Sequence, residues 1–126
     1  MVSGRSTRLL IAAAMIVALT ACGDPKYQPA AIVVTFSTEF PPPTALATSA
    51  TSGIAAIVTN GPENPSVTFT CAPAGHCGTF APNPVASNIP TTYQAPPMVP
   101  VGNTVTVTAT SVNDDTKSVS ATITID

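Results

Sequence analysis

The chain has 126 residues, of which only 8% are charged, and its formal net charge is −2. That length is one domain plus accessories. Four Lys and Arg in all cannot make the clustered basic footprint that a phosphate backbone requires, which excludes nucleic acid as a partner, and the same shortage argues against electrostatic docking on an anionic membrane.

Residues 1–8 carry Arg5 and Arg8, and residues 9–19 (LLIAAAMIVAL) form an uncharged apolar run. A run of that length fits the core of an export signal and falls short of the roughly 20 apolar residues that a spanning helix needs. Leu19-Thr20-Ala21-Cys22 follows at once. These four residues resemble the lipobox of bacterial lipoproteins, which implies cleavage after residue 21 and acylation of Cys22. The expectation is a signal peptide over 1–21, a lipidated cysteine with a short tether over 22–30, and one domain over 31–126. Removing the signal leaves Lys26 and Lys117 against Asp24, Glu39, Glu63, Asp114, Asp115 and Asp126, a net charge of −4. The tether GDPKYQPA over 23–30 is polar and proline-punctuated; fully extended it reaches roughly 26–29 Å, so the domain would stay close to its membrane. More than one acyl chain on Cys22 would suit stable anchoring.

The mature segment reads as strands throughout. Residues 31–37 are β-branched and apolar, and Phe40-Pro41-Pro42-Pro43 ends them, because proline donates nothing to a ladder. Ile54, Ala56 and Val58 alternate through GIAAIVT up to the turn Asn60-Gly61-Pro62. Val67, Phe69 and Cys71 share one face of the next strand, opposite Thr68 and Thr70. Two short strands are expected at 78–80 and 91–94, each bounded by prolines. Over 103–111 the inward set is Val105, Val107 and Ala109, and Thr104, Thr106, Thr108 and Thr110 point outward. Over 118–125 the inward set is Val119, Ala121, Ile123 and Ile125, with Ser120, Thr122 and Thr124 outward. Two such runs joined by Asn113-Asp114-Asp115 make a hairpin with one buried face. About seven strands with turns between them read as an all-β sandwich.

With Cys22 assigned to lipid, Cys71 and Cys77 remain as an even pair in an oxidising compartment, so a disulfide is expected. The competing reading, metal bound by Cys71, His76 and Cys77, lacks the fourth ligand and the paired spacing of structural zinc. No cofactor is expected.

In chain order, Val67-Thr68-Phe69-Thr70-Cys71, Cys77-Gly78-Thr79-Phe80, Thr92-Tyr93-Gln94-Ala95-Pro96 and Val105-Thr106-Val107-Thr108-Ala109-Thr110-Ser111 resemble bacterial immunoglobulin-like (Big-type) domains. The resemblance runs from about residue 31 to residue 126, with Phe69 where such modules often carry Trp. It implies an immunoglobulin-like Greek-key sandwich used at bacterial surfaces for adhesion, spacing or display, an analogy of fold and not of site.

Candidate chemistry is thin. His76 is the only histidine and stands in the short loop between the cysteines, and no Gly-x-Ser-x-Gly elbow is present. Asn113, Asp114 and Asp115 could offer oxygens to calcium, which wants six to eight ligands, but these are also ordinary turn residues. Paired carboxylates for glycoside hydrolysis would need two poised acids in a cleft, whereas Glu39 and Glu63 lie in proline-bounded loops. The outward hydroxyls of Thr104, Thr106, Thr108, Thr122 and Thr124 are either a solvated sheet face or an uncharged surface for a partner strand. The sequence therefore leads to a membrane-anchored, non-catalytic module, exported to the periplasm or cell surface, with a protein or other envelope partner. The alternative is a lipoprotein that binds a small ligand or glycan through an apolar pocket with Tyr27 or Tyr93 exposed.

Overall fold

A computed structural model describes residues 30–126; the expected signal peptide, Cys22 and all of the tether but Ala30 lie outside the described residues. The described chain is all-β, with no helix, and holds ten strands: β1 (Val33–Phe36), β2 (Ala45–Leu46), β3 (Thr51–Ile54), β4 (Ala56–Thr59), β5 (Ser66–Ala72), β6 (Thr79–Ala81), β7 (Val85–Ala86), β8 (Thr91–Gln94), β9 (Thr104–Ser111) and β10 (Ser118–Ile125). One layer is the five-stranded sheet β2-β10-β9-β5-β7. The other contains the pair β1-β4 and the sheet β3-β8-β6. Their inward side chains meet in a single cluster, drawn from β1, β3, β4 and β8 on one side and β5, β7, β9 and β10 on the other. The fold is a β-sandwich.

The long hairpin follows the alternation of the sequence. Val105, Val107, Ala109, Ile123 and Ile125 are buried, while Val119 and Ala121, toward the hairpin turn, are half-buried. Burying one such aliphatic side chain stabilises the fold by about 1.5–3 kcal/mol relative to leaving it exposed, so the strict pattern also fixes register: a slip by one residue would put every threonine in the core.

Three strands depart from the sequence expectation, which counted about seven. The GIAAIVT run is not one strand but two, divided at Ala55. Residues 51–54 pair with β8 and residues 56–59 pair with β1. At the switch, the Ala55 N–H donates to the Phe40 carbonyl (2.9 Å) and its carbonyl accepts from the Ser37 N–H (2.9 Å). Ala55 is fully buried together with Ile54 and Ala56, which only a small residue permits where the chain crosses from one partner to the other. The second departure is β2, a two-residue strand parallel to β10. Pro41, Pro42 and Pro43 precede it by one residue and have no N–H to continue the ladder. The third is β7, which covers only Ser66 and Val67 of β5. Beyond it the Asn83 side chain takes over, accepting from the Phe69 N–H (2.9 Å) and donating to the Phe69 carbonyl (2.8 Å). An amide side chain thus seals the edge that β7 leaves open.

The two layers are joined by an aromatic row. Phe69 of β5 stacks on Phe80 of β6 with centroids 5.5 Å apart, and Phe80 meets Tyr93 of β8 at 5.0 Å. Tyr93 is fully buried, and its hydroxyl donates to the Cys77 carbonyl at 2.6 Å. Burial raises its pKa. Cys77 is disulfide-bonded to Cys71, with Cα atoms 5.8 Å apart. The strand at 78–80 starts one residue late because Gly78 holds a φ of +98°, and a Cβ there would run into the Gln94 carbonyl oxygen.

The sandwich has two poles. Ala31, Asn60, Ser66, Val112 and the hairpin turn lie at the entry pole, where Asn60 Nδ2 donates to the Ala31 carbonyl and the Val112 N–H to that of Ser66. The disulfide loop, the connection over 95–103 and Asp126 lie at the far pole, where Ala72 is paired with Thr106 and the Ile125 N–H bonds the Asn103 carbonyl. A strand the length of β9 separates the poles by roughly 25 Å.

Two stability measurements check this account. Replacing both Cys71 and Cys77 by alanine lowers unfolding stability in urea by about 2 kcal/mol, because a short loop is no longer closed in the unfolded chain. Tyr93→Phe removes the hydroxyl and leaves the Cys77 carbonyl unpaired, costing about 1–2 kcal/mol at neutral pH. Because the folded pKa of Tyr93 lies above its unfolded value near 10, the stability this phenol contributes is complete below that pH and falls as pH rises past it. The gap between wild type and Tyr93→Phe therefore narrows in alkaline urea titrations.

Candidate functional site

Two outward surfaces stand out. The first is the hydroxyl face of the five-stranded sheet. Register places Thr106 opposite Thr122 and Thr104 opposite Thr124, and β5 extends the grid by setting Thr70 beside Thr108 and Thr68 beside Thr110. Thr104, Thr106 and Thr122 are exposed, and Thr108 and Thr124 are half-buried. The five threonines singled out from the sequence thus share one face. Thr108 and Ser120 hydroxyls bond each other at 2.7 Å, which satisfies neighbours within the face. The outer edge of β10 is covered only at Thr124 and Ile125, by β2.

The second surface lies at the far pole and was not singled out from the sequence. Pro73, Gly75 and His76 of the disulfide loop face Pro96, Pro97, Met98, Val99, Pro100 and Val101 across an open hollow of about 490 Å³. Pro96 and Pro100 are buried and hold the connecting loop down, so that Pro97, Met98 and Val99 stand out between them. Met98 is 71% exposed and Val101 101%. Pro100, Gly102 and Asn103 close the loop in a turn, with the Asn103 N–H on the Pro100 carbonyl and a positive φ at both Gly102 and Asn103. The missed signal was PPMVPVG: three prolines in five residues set a loop whose remaining side chains are all aliphatic or thioether, with none of the alternation that would bury them. Prolines also limit the freedom that binding would remove, so the loop is preorganised.

The other sequence candidates are placed as follows. His76 is exposed on the rim of the hollow, its N–H bonded to the Pro73 carbonyl in the loop turn. Asp114 sits in the β9–β10 turn at the entry pole, where its Oδ1 accepts from the Thr116 hydroxyl (2.6 Å) and the Thr116 N–H (3.1 Å). Those two bonds, the side-chain one first, hold its carboxyl below the usual carboxylate range. Among the described residues no three His, Cys, Asp or Glu side chains converge as metal ligands, and no buried side-chain polar atom lacks a partner. Tyr93, expected to be exposed if the protein bound a glycan, is the core phenol described above, and Tyr27 lies outside the described residues.

The turn gives a pH test. Asp114 is depressed in the folded state, so its contribution is present above its unfolded pKa near 4 and is lost as pH falls through the lower folded value. Thr116→Val destabilises the domain at neutral pH, and the difference from wild type shrinks in urea titrations carried out below about pH 4.

A search against protein-family models found no match to this chain, and a search of curated proteins found none either.

Proposed function

We propose that this protein is a non-catalytic interaction module of the bacterial envelope, an immunoglobulin-like domain held to a membrane by lipid on Cys22, and that it meets its partner through the far pole. The observation that carries this reading is the position of the apolar loop. The tether enters the domain beside Asn60, and Met98, Val99 and Val101 are displayed at the opposite end, away from the anchored side. Exposed apolar groups gathered at one place, on a loop stiffened by prolines, are the mark of a protein contact, since scattered exposure needs no explanation but clustering does. Between Asn64 and Asn113 the chain has no Asp, Glu, Lys or Arg, so this pole favours a partner of neutral or apolar surface.

The hydroxyl face is the second candidate contact. Its free β10 edge and uncharged side chains suit strand addition, although its threonines are also what a solvated sheet face prefers. The glycan reading is weakened by the burial of Tyr93, which leaves the hollow without an aromatic ring for a sugar to stack on.

Two measurements test the proposal. Cys22→Ser prevents acylation, and the chain then appears in the soluble fraction instead of the membrane fraction; retention in the membrane fraction would refute the anchor. A photoreactive amino acid placed at Met98 captures a discrete envelope neighbour in cells, whereas the same group at Thr106 does not. The reverse pattern would move the contact to the hydroxyl face.

A further inference from the structure

We infer that the Cys71–Cys77 disulfide is a thiol-exchange site: an incoming thiol is taken up at Cys71, and the opening frees the loop between the cysteines while the sandwich stays folded. Three observations carry it, all within the described domain.

The first is unequal access. Cys77 is 4% exposed and belongs to the core cluster. Cys71 is half-buried at the end of β5 and is followed by a run of exposed residues from Ala72 to His76. Exchange follows access to the sulfur, and a buried cysteine is inert, so the thiol enters at Cys71. Between Asn64 and Asn113 the chain has no Asp or Glu, so an anionic thiol meets no carboxylate from this segment. In the exchange a thiolate bonds to the Cys71 sulfur, the Cys71–Cys77 bond breaks, and Cys77 leaves with the electron pair and takes a proton from water. A second thiolate attacks the added sulfur and displaces Cys71, which is protonated in turn. The protein disulfide is thereby reduced to two thiols, and the two incoming thiols are oxidised to one disulfide.

The second is that both cysteines are held by bonds the disulfide does not supply. Cys71 and Ala72 are paired with Val107 and Thr106 of β9. The Cys77 carbonyl accepts from the Tyr93 hydroxyl at 2.6 Å, and Thr79 is paired with Gln94. Between these anchors the residues Pro73 to His76 make, among the described residues, one hydrogen bond, from the His76 N–H to the Pro73 carbonyl (3.1 Å). A Cβ at Gly75 would meet nothing within 4 Å. Opening therefore loosens the loop and not the sheets, as a local unit does. The same anchors keep the thiols near their present Cα separation of 5.8 Å, so an oxidising disulfide closes the site again.

The third is what the loop forms. Pro73, Gly75 and His76 are one wall of the far-pole hollow. The facing wall is fixed by its own bonds, from the Ser49 N–H to the Pro96 carbonyl and from the Asn103 N–H to the Pro100 carbonyl. Exchange thus removes one wall and leaves the other. That this silences a contact at the far pole rests on the function proposed above; the exchange itself does not.

The test treats the full chain with reduced glutathione, stops the reaction by alkylation and places each adduct by peptide fragmentation. Under native conditions glutathione is found on Cys71. Given oxidised glutathione, the Cys77→Ala chain accepts it at Cys71, whereas the Cys71→Ala chain reacts at Cys77 slower by about tenfold or more. In the reduced chain, hydrogen exchange rises over residues 72–76 and stays low over 66–70 and 91–94. A disulfide that yields only in unfolding urea, adducts shared equally between the two cysteines, or protection lost through β5 and β8 would each overturn the inference. With a photoreactive group at Met98, capture that disappears on reduction and returns on reoxidation ties the exchange to the contact, and equal capture in both forms refutes that tie. No capture in either form would sink the far-pole contact alone and leave the exchange site standing.

Discussion

The buried hydroxyl of Tyr93 on the Cys77 carbonyl is the contact on which the far half of the molecule depends. A phenol carried by one layer reaches past Phe80 to the loop that leaves the other layer, and the disulfide at Cys77 ties that loop back to β5. One bond therefore links both sheets and the disulfide loop. Desolvation raises the pKa of the phenol further above its ordinary value, which favours the neutral, donating form that this carbonyl requires. The hollow at the far pole inherits its shape from this arrangement. One of its walls is the disulfide loop, and the other begins two residues after Tyr93, where Ala95 and Pro96 are buried before the chain turns out.

Legibility from sequence follows the range of the forces involved. The β9–β10 hairpin was plain because each residue's environment is set by its immediate neighbours: alternate side chains face the core or water, and eight consecutive residues of each strand repeat that choice. The Cys71–Cys77 disulfide was legible through the expectations that Cys22 carries lipid and that the chain is exported, which leave the other two cysteines as a pair. The division at Ala55 was not, because Ile54, Ala56 and Val58 keep their alternation straight through it. What changes there is the hydrogen-bonding partner, supplied by Ser37 and Phe40 from far along the chain, and periodicity carries no record of that. β2 and β7 escaped for a similar reason. Two residues hold no pattern, and each exists only because a long neighbouring strand had an edge to cover.

The candidate surfaces divide along the same line. The threonine face is a repeated local signal, so all five residues named from sequence fall together on it. The far pole joins segments at least twenty residues apart, Pro73 to His76 and Pro96 to Val101, and neither is distinctive alone. Each reads as a proline-rich turn, and turns are expected to be exposed. Only their juxtaposition, with aliphatic side chains left outside the core, turns two connections into a surface.

The uneven placement of charge then bears on orientation. Among the described residues, Glu63, Asp114, Asp115 and Lys117 belong to connections at the entry pole, Glu39 follows the opposite end of β1, and Asp126 lies at the far pole. Solvated carboxylates there resist close approach to an anionic surface. The lining of the far-pole hollow holds no Asp, Glu, Lys or Arg, and a loop that proline has already ordered loses little on meeting another apolar surface. The charged connections thus gather mainly at the pole where the described chain begins, and the apolar hollow lies at the other.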